Sequence, residues 1–225
     1  MAVPVVIFGA GGGVGFHLAR LLRERGVPVF AMLRGSAAVP ELEALGVRVA
    51  HGDAFLADDV DRTLALPGDG EFDVVSTIGG TMPDGRMADD EGNINIVDRA
   101  AGRDVGRFVL VTSIGCGEMA PYRSARAIAA FGAAVDAKTR AEERLRQAIP
   151  SATIVRPGGL RSEPATGRGI LSDDPRIHGF IHRADVADLV RRVLTDPATE
   201  GRTFAAVDAE HARCANPIEP FPLAR

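Results

Sequence analysis

The segment VVIFGAGGGVGFHLARLL carries glycines at Gly9, Gly12 and Gly15, a GxxGxxG spacing set between an apolar β-branched run and residues of helical period. That arrangement suits a pyrophosphate. The first glycine permits the tight turn, the second lets phosphate oxygens reach backbone N–H groups, and the third lets helix and strand pack closely. The following helix adds partial positive charge at its N-terminus. Gly9, Gly12, Gly13, Val14 and Gly15 are therefore candidate dinucleotide contacts. The end of the next apolar run reads VFAMLRGS, with no acid before Glu41. An Asp or Glu there would bond the ribose 2′-OH of NAD, whereas Arg34 is placed to grip a 2′-phosphate bidentately and Ser36 to add a hydroxyl. NADP(H) is thus expected over NAD(H). A solvated arginine just past a strand is the competing reading of Arg34.

The other chemistry-bearing residue types are scarce. Of the 26 basic residues, 25 are arginine and one is Lys138; Tyr122 is the single tyrosine and tryptophan is absent. Net charge is 26 − 30 = −4, and without basic runs that argues against nucleic acid as a partner. Cys116 and Cys214 form no CxxC or Cys/His pattern and are read as free thiols. His178 and His182 are four apart but flank Gly179 in a stretch without helix signals, so no metal site is expected. His17 is read as a packing or solvent-facing residue. No run reaches the roughly 18 apolar residues of a membrane span, and MAVPVVIFGA lacks the basic start of a signal peptide. The expectation is a cytoplasmic protein acting on a small molecule, a monomer or homodimer that engages neither nucleic acid nor membrane.

Positioning these residues requires a parallel sheet covered by helices, because short apolar runs alternate with segments of helical period. Strands are predicted at 4–8, 27–33, 47–50, 74–77, 108–112, 153–155 and 203–207. Helices are predicted near 14–25, 58–66, 90–103, 127–148 and 184–194. The fold class that follows is α/β, a Rossmann-type doubly wound parallel sheet in a single domain over residues 1–225. The Gly/Pro-rich stretch 157–182 reads as a substrate-covering segment, and 214–225, with three prolines, as a surface tail.

Beyond the glycine turn, several stations occur in order: MLRG, HGDAFLADDVDRTL, STIGG, FVLVTSIG, TIVRPGGL and HRADVADLV. Taken together the chain resembles the atypical short-chain dehydrogenase/reductases, the compact NAD(P)H-binding group that includes biliverdin/flavin reductases and NmrA-like proteins, from about Val5 to Val207. The resemblance implies that Asp53 borders the adenine, that Thr77, Ile78 and Gly79 line the cofactor, and that Pro157 and Gly158 lie beside the nicotinamide. It implies a role at the strand end for Ser113, whose hydroxyl would hold the carboxamide or a substrate oxygen; satisfaction of its own backbone is the alternative. Asn93 or Asn95 would bond near the active-site helix or serve local capping.

Relatives of this kind place a tyrosine four residues before a lysine on the helix after the fifth strand, so that both face the nicotinamide. The lysine binds the ribose and lowers the tyrosine pKa, readying the phenol for proton transfer. Lys138 occupies the lysine station and Ala134 the tyrosine station. Three outcomes stay open: hydride delivery to an easily reduced acceptor with solvent as proton source, substitution by Tyr122, or binding without turnover. The implied activity is an NADPH-dependent oxidoreductase, with catalytic candidates Lys138, Ser113 and Tyr122; the alternative is a non-catalytic NADP(H)-binding regulator or assembly factor.

Overall fold

The computed structural model describes residues 2–224. Among these residues ten strands and six α-helices follow in the order β1 (Val5–Phe8), α1 (Gly13–Glu24), β2 (Val29–Leu33), α2 (Val39–Ala44), β3 (Arg48–His51), α3 (Ala57–Leu64), β4 (Phe72–Ser76), α4 (Asn93–Ala100), β5 (Val105–Val111), α5 (Ala125–Ala148), β6 (Thr153–Pro157), β7 (Gly159–Arg161), β8 (Gly169–Ser172), β9 (Phe180–His182), α6 (Arg183–Thr195) and β10 (Thr203–Asp208). Eight strands form one sheet in the order β3-β2-β1-β4-β5-β6-β10-β8. All pair in parallel except β8, which runs antiparallel on β10.

The period-two alternation of β1 sorts its side chains between two apolar layers. Val5 and Ile7 join α1, α2 and α6 on one face, while Val6 and Phe8 join α3, α4 and α5 on the other. A parallel sheet covered on both faces needs such all-apolar strands. Each fully buried side chain, Phe8 and Leu110 among them, contributes roughly 1.5–3 kcal/mol. The order reverses at β1, whose neighbours are β2 and β4. Ligands of open α/β sheets bind in the crevice opened at the carboxyl ends of the strands by such a reversal.

The seven strands and five helices read from sequence are all present, and the structure adds further elements to them. The helix expected from Asp90 is preceded by a π-helical turn over Ala88–Gly92, so that α4 proper begins at Asn93. The short α2, whose one fully buried side chain is Leu42, had no visible period. The stretch 157–182 holds three short strands: β8 extends the sheet, and β7 and β9 pair in parallel as a separate ribbon. The tail folds back on the domain. Phe221 packs on Phe204 with ring centroids 4.7 Å apart, and the Ala224 N–H donates to Asp196 Oδ2 at 2.9 Å.

Candidate functional site

At the switch point lies a cleft of about 450 Å³. Its walls are the ends of four adjacent strands: Gly9, Gly11 and Gly12 after β1, Leu33–Gly35 at β2, Gly52–Phe55 after β3, and Thr77–Gly79 after β4.

Two of the three spaced glycines are demanded by protein atoms. Gly9 adopts φ +100°, and a Cβ there would lie 2.5 Å from Thr77 Oγ1. A Cβ on Gly15 would lie 2.4 Å from the Gly9 carbonyl oxygen, so the helix-to-strand approach excludes any side chain. Gly12 differs. Its backbone is extended, and no atom lies within 4 Å of where a Cβ would project. It caps α1 without a side-chain hydrogen bond, leaving the first-turn N–H groups of Gly13, Val14 and Gly15 to an external acceptor. The Val14 side chain is buried in the layer beneath. This chain therefore has an open, donor-lined turn that fits a pyrophosphate.

Arg34 is exposed at the cleft mouth, and its Nη1 donates to Met82 Sδ on the loop after β4. Ser36 is exposed outside the lining, its carbonyl accepting the Val39 N–H at the start of α2. Asp53 lines the cleft and is held on both sides: its N–H donates to Asp59 Oδ2 at 2.8 Å, and its Oδ1 accepts from the Phe55 N–H at 3.1 Å. Asn95 Nδ2 ties the same loop by donating to the Ala54 carbonyl at 2.7 Å.

Lys138 projects from α5 toward the end of β4, where a Cβ on Gly79 would lie 3.1 Å from its Nζ. Its partner is Asp89, which sequence reasoning missed. Lys138 Nζ pairs with Asp89 Oδ1, and Asp89 Oδ2 accepts the Gly80 N–H at 2.7 Å. The two side chains are 17% and 4% exposed. Asn93 holds the π turn that presents Asp89: its Oδ1 accepts from Ser76 Oγ at 2.6 Å, and its Nδ2 donates to the carbonyls of Ala88 and Asp89. One turn beyond Lys138, Glu142 is fully buried against Arg156 of β6, Oε2 to Nη2 at 2.6 Å, and accepts from Thr112 Oγ1 at 2.6 Å. Arg156 also grips Glu118 with Nη1 and Nη2. This cluster, buried at Glu142 and Arg156, joins α5 to the end of β5, to β6 and to the 3-10 turn Gly117–Tyr122, fixing the helix that carries Lys138.

The remaining candidates fall outside the cleft walls. Ser113 donates to the adjacent Ile114 carbonyl at 3.0 Å. Tyr122 is 56% exposed at the end of its turn, its phenol without a hydrogen-bond partner among the described residues. Pro157 ends β6 and accepts the Ile114 N–H. Gly158 has a packing reason to be glycine, since a Cβ would lie 2.4 Å from the Gly179 carbonyl. His182 Nδ1 lies 2.6 Å from the Pro164 carbonyl. No group of three potential metal ligands occurs among the described residues, and no helix among them is long and apolar enough to cross a membrane. Cys116 is buried against the Val135 carbonyl.

Comparison with known proteins places this architecture. ChuY, an anaerobilin reductase from Escherichia coli O157:H7, is 34% identical and superposes with a TM-score of 0.83, over 97% of this chain and 100% of that one. A Bacillus subtilis (strain 168) protein described as an uncharacterized sugar epimerase, YhfK, is 28% identical over 213 residues, 92% of this chain and 95% of that protein. A short-chain dehydrogenase/reductase of Veillonella parvula in complex with NADP shares the fold, with a TM-score of 0.71 at 15% identity over 94% of this chain and 97% of that one. Residues 9–197 match the NAD(P)H-binding family. With its glycine turn open at the switch point of an oxidoreductase-like sheet, this chain belongs to the NAD(P)H-binding family.

Proposed function

We propose that the chain is an NADPH-dependent reductase that delivers hydride to a planar, conjugated acceptor, with bilins the first class to test. The observation that carries the reading is one stripe of α5. Phe131, Ala134 and Lys138 recur at helical spacing on one face, and Phe131 is 66% exposed. A small residue replaces the usual hydroxyl, next to an uncovered aromatic ring. A delocalised acceptor takes up hydride without a positioned acid, drawing its proton from water, so the absent phenol costs little for that class and much for a simple ketone. The full-length similarity to an anaerobilin reductase supports the same class.

When bound, the reduced dinucleotide supplies the hydride. The chain's own residues hold it: the N–H groups of Gly13, Val14 and Gly15 bind phosphate oxygens, Gly12 leaves the approach open, and Arg34 grips the 2′-phosphate with Ser36 as a second donor. Asp53 borders the adenine, Thr77, Ile78 and Gly79 line the dinucleotide, and Lys138, oriented by Asp89, meets the ribose. Pro157 and Gly158 begin the segment, 157–182, that covers the acceptor. Ser113 offers a strand-end hydroxyl for an acceptor oxygen, and Tyr122 is the one phenol available to replace the donor lost at Ala134.

The test is NADPH and NADH binding by fluorescence, followed by NADPH oxidation with bilin, flavin, quinone and simple carbonyl panels. Turnover with the conjugated acceptors and none with simple ketones is expected. Tight binding without turnover across all panels would favour the non-catalytic NADP(H)-binding regulator, to which Ala134 also points.

A further inference from the structure

We propose that Arg183, the first residue of α6, is a second cationic ligand of the dinucleotide pyrophosphate, facing the glycine turn from the neighbouring helix. The proposal rests on the dinucleotide reading of that turn and adds to it a residue outside the glycine motif.

Helices α1 and α6 lie on the same face of the sheet, with Leu18 and Leu22 of one and Val186 and Val190 of the other in a single apolar layer. α1 starts at the carboxyl end of β1. α6 starts directly after β9, which pairs with β7 just past the carboxyl end of β6. Both N-termini therefore emerge at the edge where the cleft opens. A Cβ built on Gly13, the first residue of α1, would lie 3.5 Å from Arg183 Cδ and 3.6 Å from Nε. The guanidinium is thus beside the first N–H groups of the glycine turn.

Its charge is uncommitted. Nη1 donates to the neutral Ser162 Oγ at 2.8 Å, and no carboxylate pairs with Arg183 among the described residues. The nearest acid along the chain, Asp185, is buried and already accepts from the N–H groups of Thr166 and Gly167 and from Thr166 Oγ1. One turn along α1 from Gly13, His17 presents a buried Nδ1 with no hydrogen-bond partner. Burial, then the charges of Arg20 and Arg183, lower the His17 pKa, and an imidazole, neutral or protonated, is no counter-anion for Arg183. A helix N-terminus offers about half a unit charge, whereas a pyrophosphate carries two negative charges. A guanidinium beside the same N–H groups supplies most of the missing charge and a forked donor.

The experiment measures dissociation constants of Arg183→Gln and Arg183→Lys for NADPH and NADH, alongside melting temperatures. The pyrophosphate is common to both dinucleotides, so Arg183→Gln should weaken both by about tenfold, as loss of a charge-assisted hydrogen bond predicts. Arg183→Lys should fall between the wild type and Arg183→Gln, and both variants should melt within a few degrees of the wild type. Unchanged affinity, or a loss confined to NADPH, overturns the proposal; the latter would assign Arg183 to the 2′-phosphate. A fall in affinity matched by a collapse in melting temperature for both variants overturns it in favour of a structural role. Failure of the wild-type protein to bind either dinucleotide removes the reading of the turn itself, before any variant is compared.

Discussion

Asp89→Asn removes one charge of the Lys138–Asp89 pair while keeping the shape of the side chain. The amide oxygen can still accept the Gly80 N–H, but an NH₂ or a neutral oxygen now faces the Lys138 ammonium in a site where the aspartate is 4% and the lysine 17% exposed. Breaking one side of a buried pair typically costs 3–5 kcal/mol, because the remaining charge is left without compensation. Since Lys138 keeps some contact with solvent, the lower end applies, about 3 kcal/mol. For a chain of this size that lowers the melting temperature by roughly 6–12 °C. Lys138→Met should cost a similar amount by stranding the carboxylate. The double variant removes both charges, so it should recover about half of the summed loss, a coupling of about 3 kcal/mol in a double-mutant cycle followed by urea unfolding. Additivity of the two single losses to within about 0.5 kcal/mol would refute the pairing and with it the assignment of Asp89 as the residue that orients Lys138.

Arg34→Gln should weaken NADPH binding by about tenfold or more while leaving NADH nearly unchanged, since only the former carries the 2′-phosphate; equal losses in titrations would remove Arg34 from that role. Asp73 is buried at the start of β4, and desolvation, with the Glu71 carboxylate adding, pushes its pKa up to about 6. A carboxyl that holds its proton more tightly when folded contributes most below about pH 4 and loses that contribution as pH rises to about 6. Asp73→Asn, which retains an acceptor for the Arg107 N–H, should therefore raise stability at pH 7 by about 2–3 kcal/mol and flatten the slope between those pH values; a loss of stability at pH 7 would contradict this. Burial, with Glu142 nearby, pushes the Cys116 thiol up to about 12. At pH 8 a thiol reagent should label the half-buried Cys214 in the folded protein and Cys116 only on unfolding; early modification of Cys116 would show the packing around it to be open.

Strand runs and helical periods were legible along most of the chain because each element is long enough to show its own period and both faces of the sheet require apolar side chains. Short pieces were not. α2, β7, β8 and β9 owe their form to the neighbours they pair or pack with, and β8 is a strand because β10 offers it an edge. The position of the tail, read as a surface feature, depends on contacts with Phe204 and Asp196 that lie far away in sequence.

The glycine turn, the arginine after β2 and the lone lysine on α5 were determined by sequence, because local backbone geometry and residue chemistry are short-range properties. Tertiary structure alone decided which of two adjacent acids serves that lysine. In ADDEG nothing separates Asp89 from Asp90, yet the π turn directs Asp89 inward to Lys138 and leaves Asp90 to Arg140 on the surface. In the same way Glu142 is buried against Arg156 while Glu143 beside it is exposed and forms no ion pair among the described residues. Charge pairing across separate elements depends on rotation about a helix and on which strand lies opposite, and packing of the whole domain sets both.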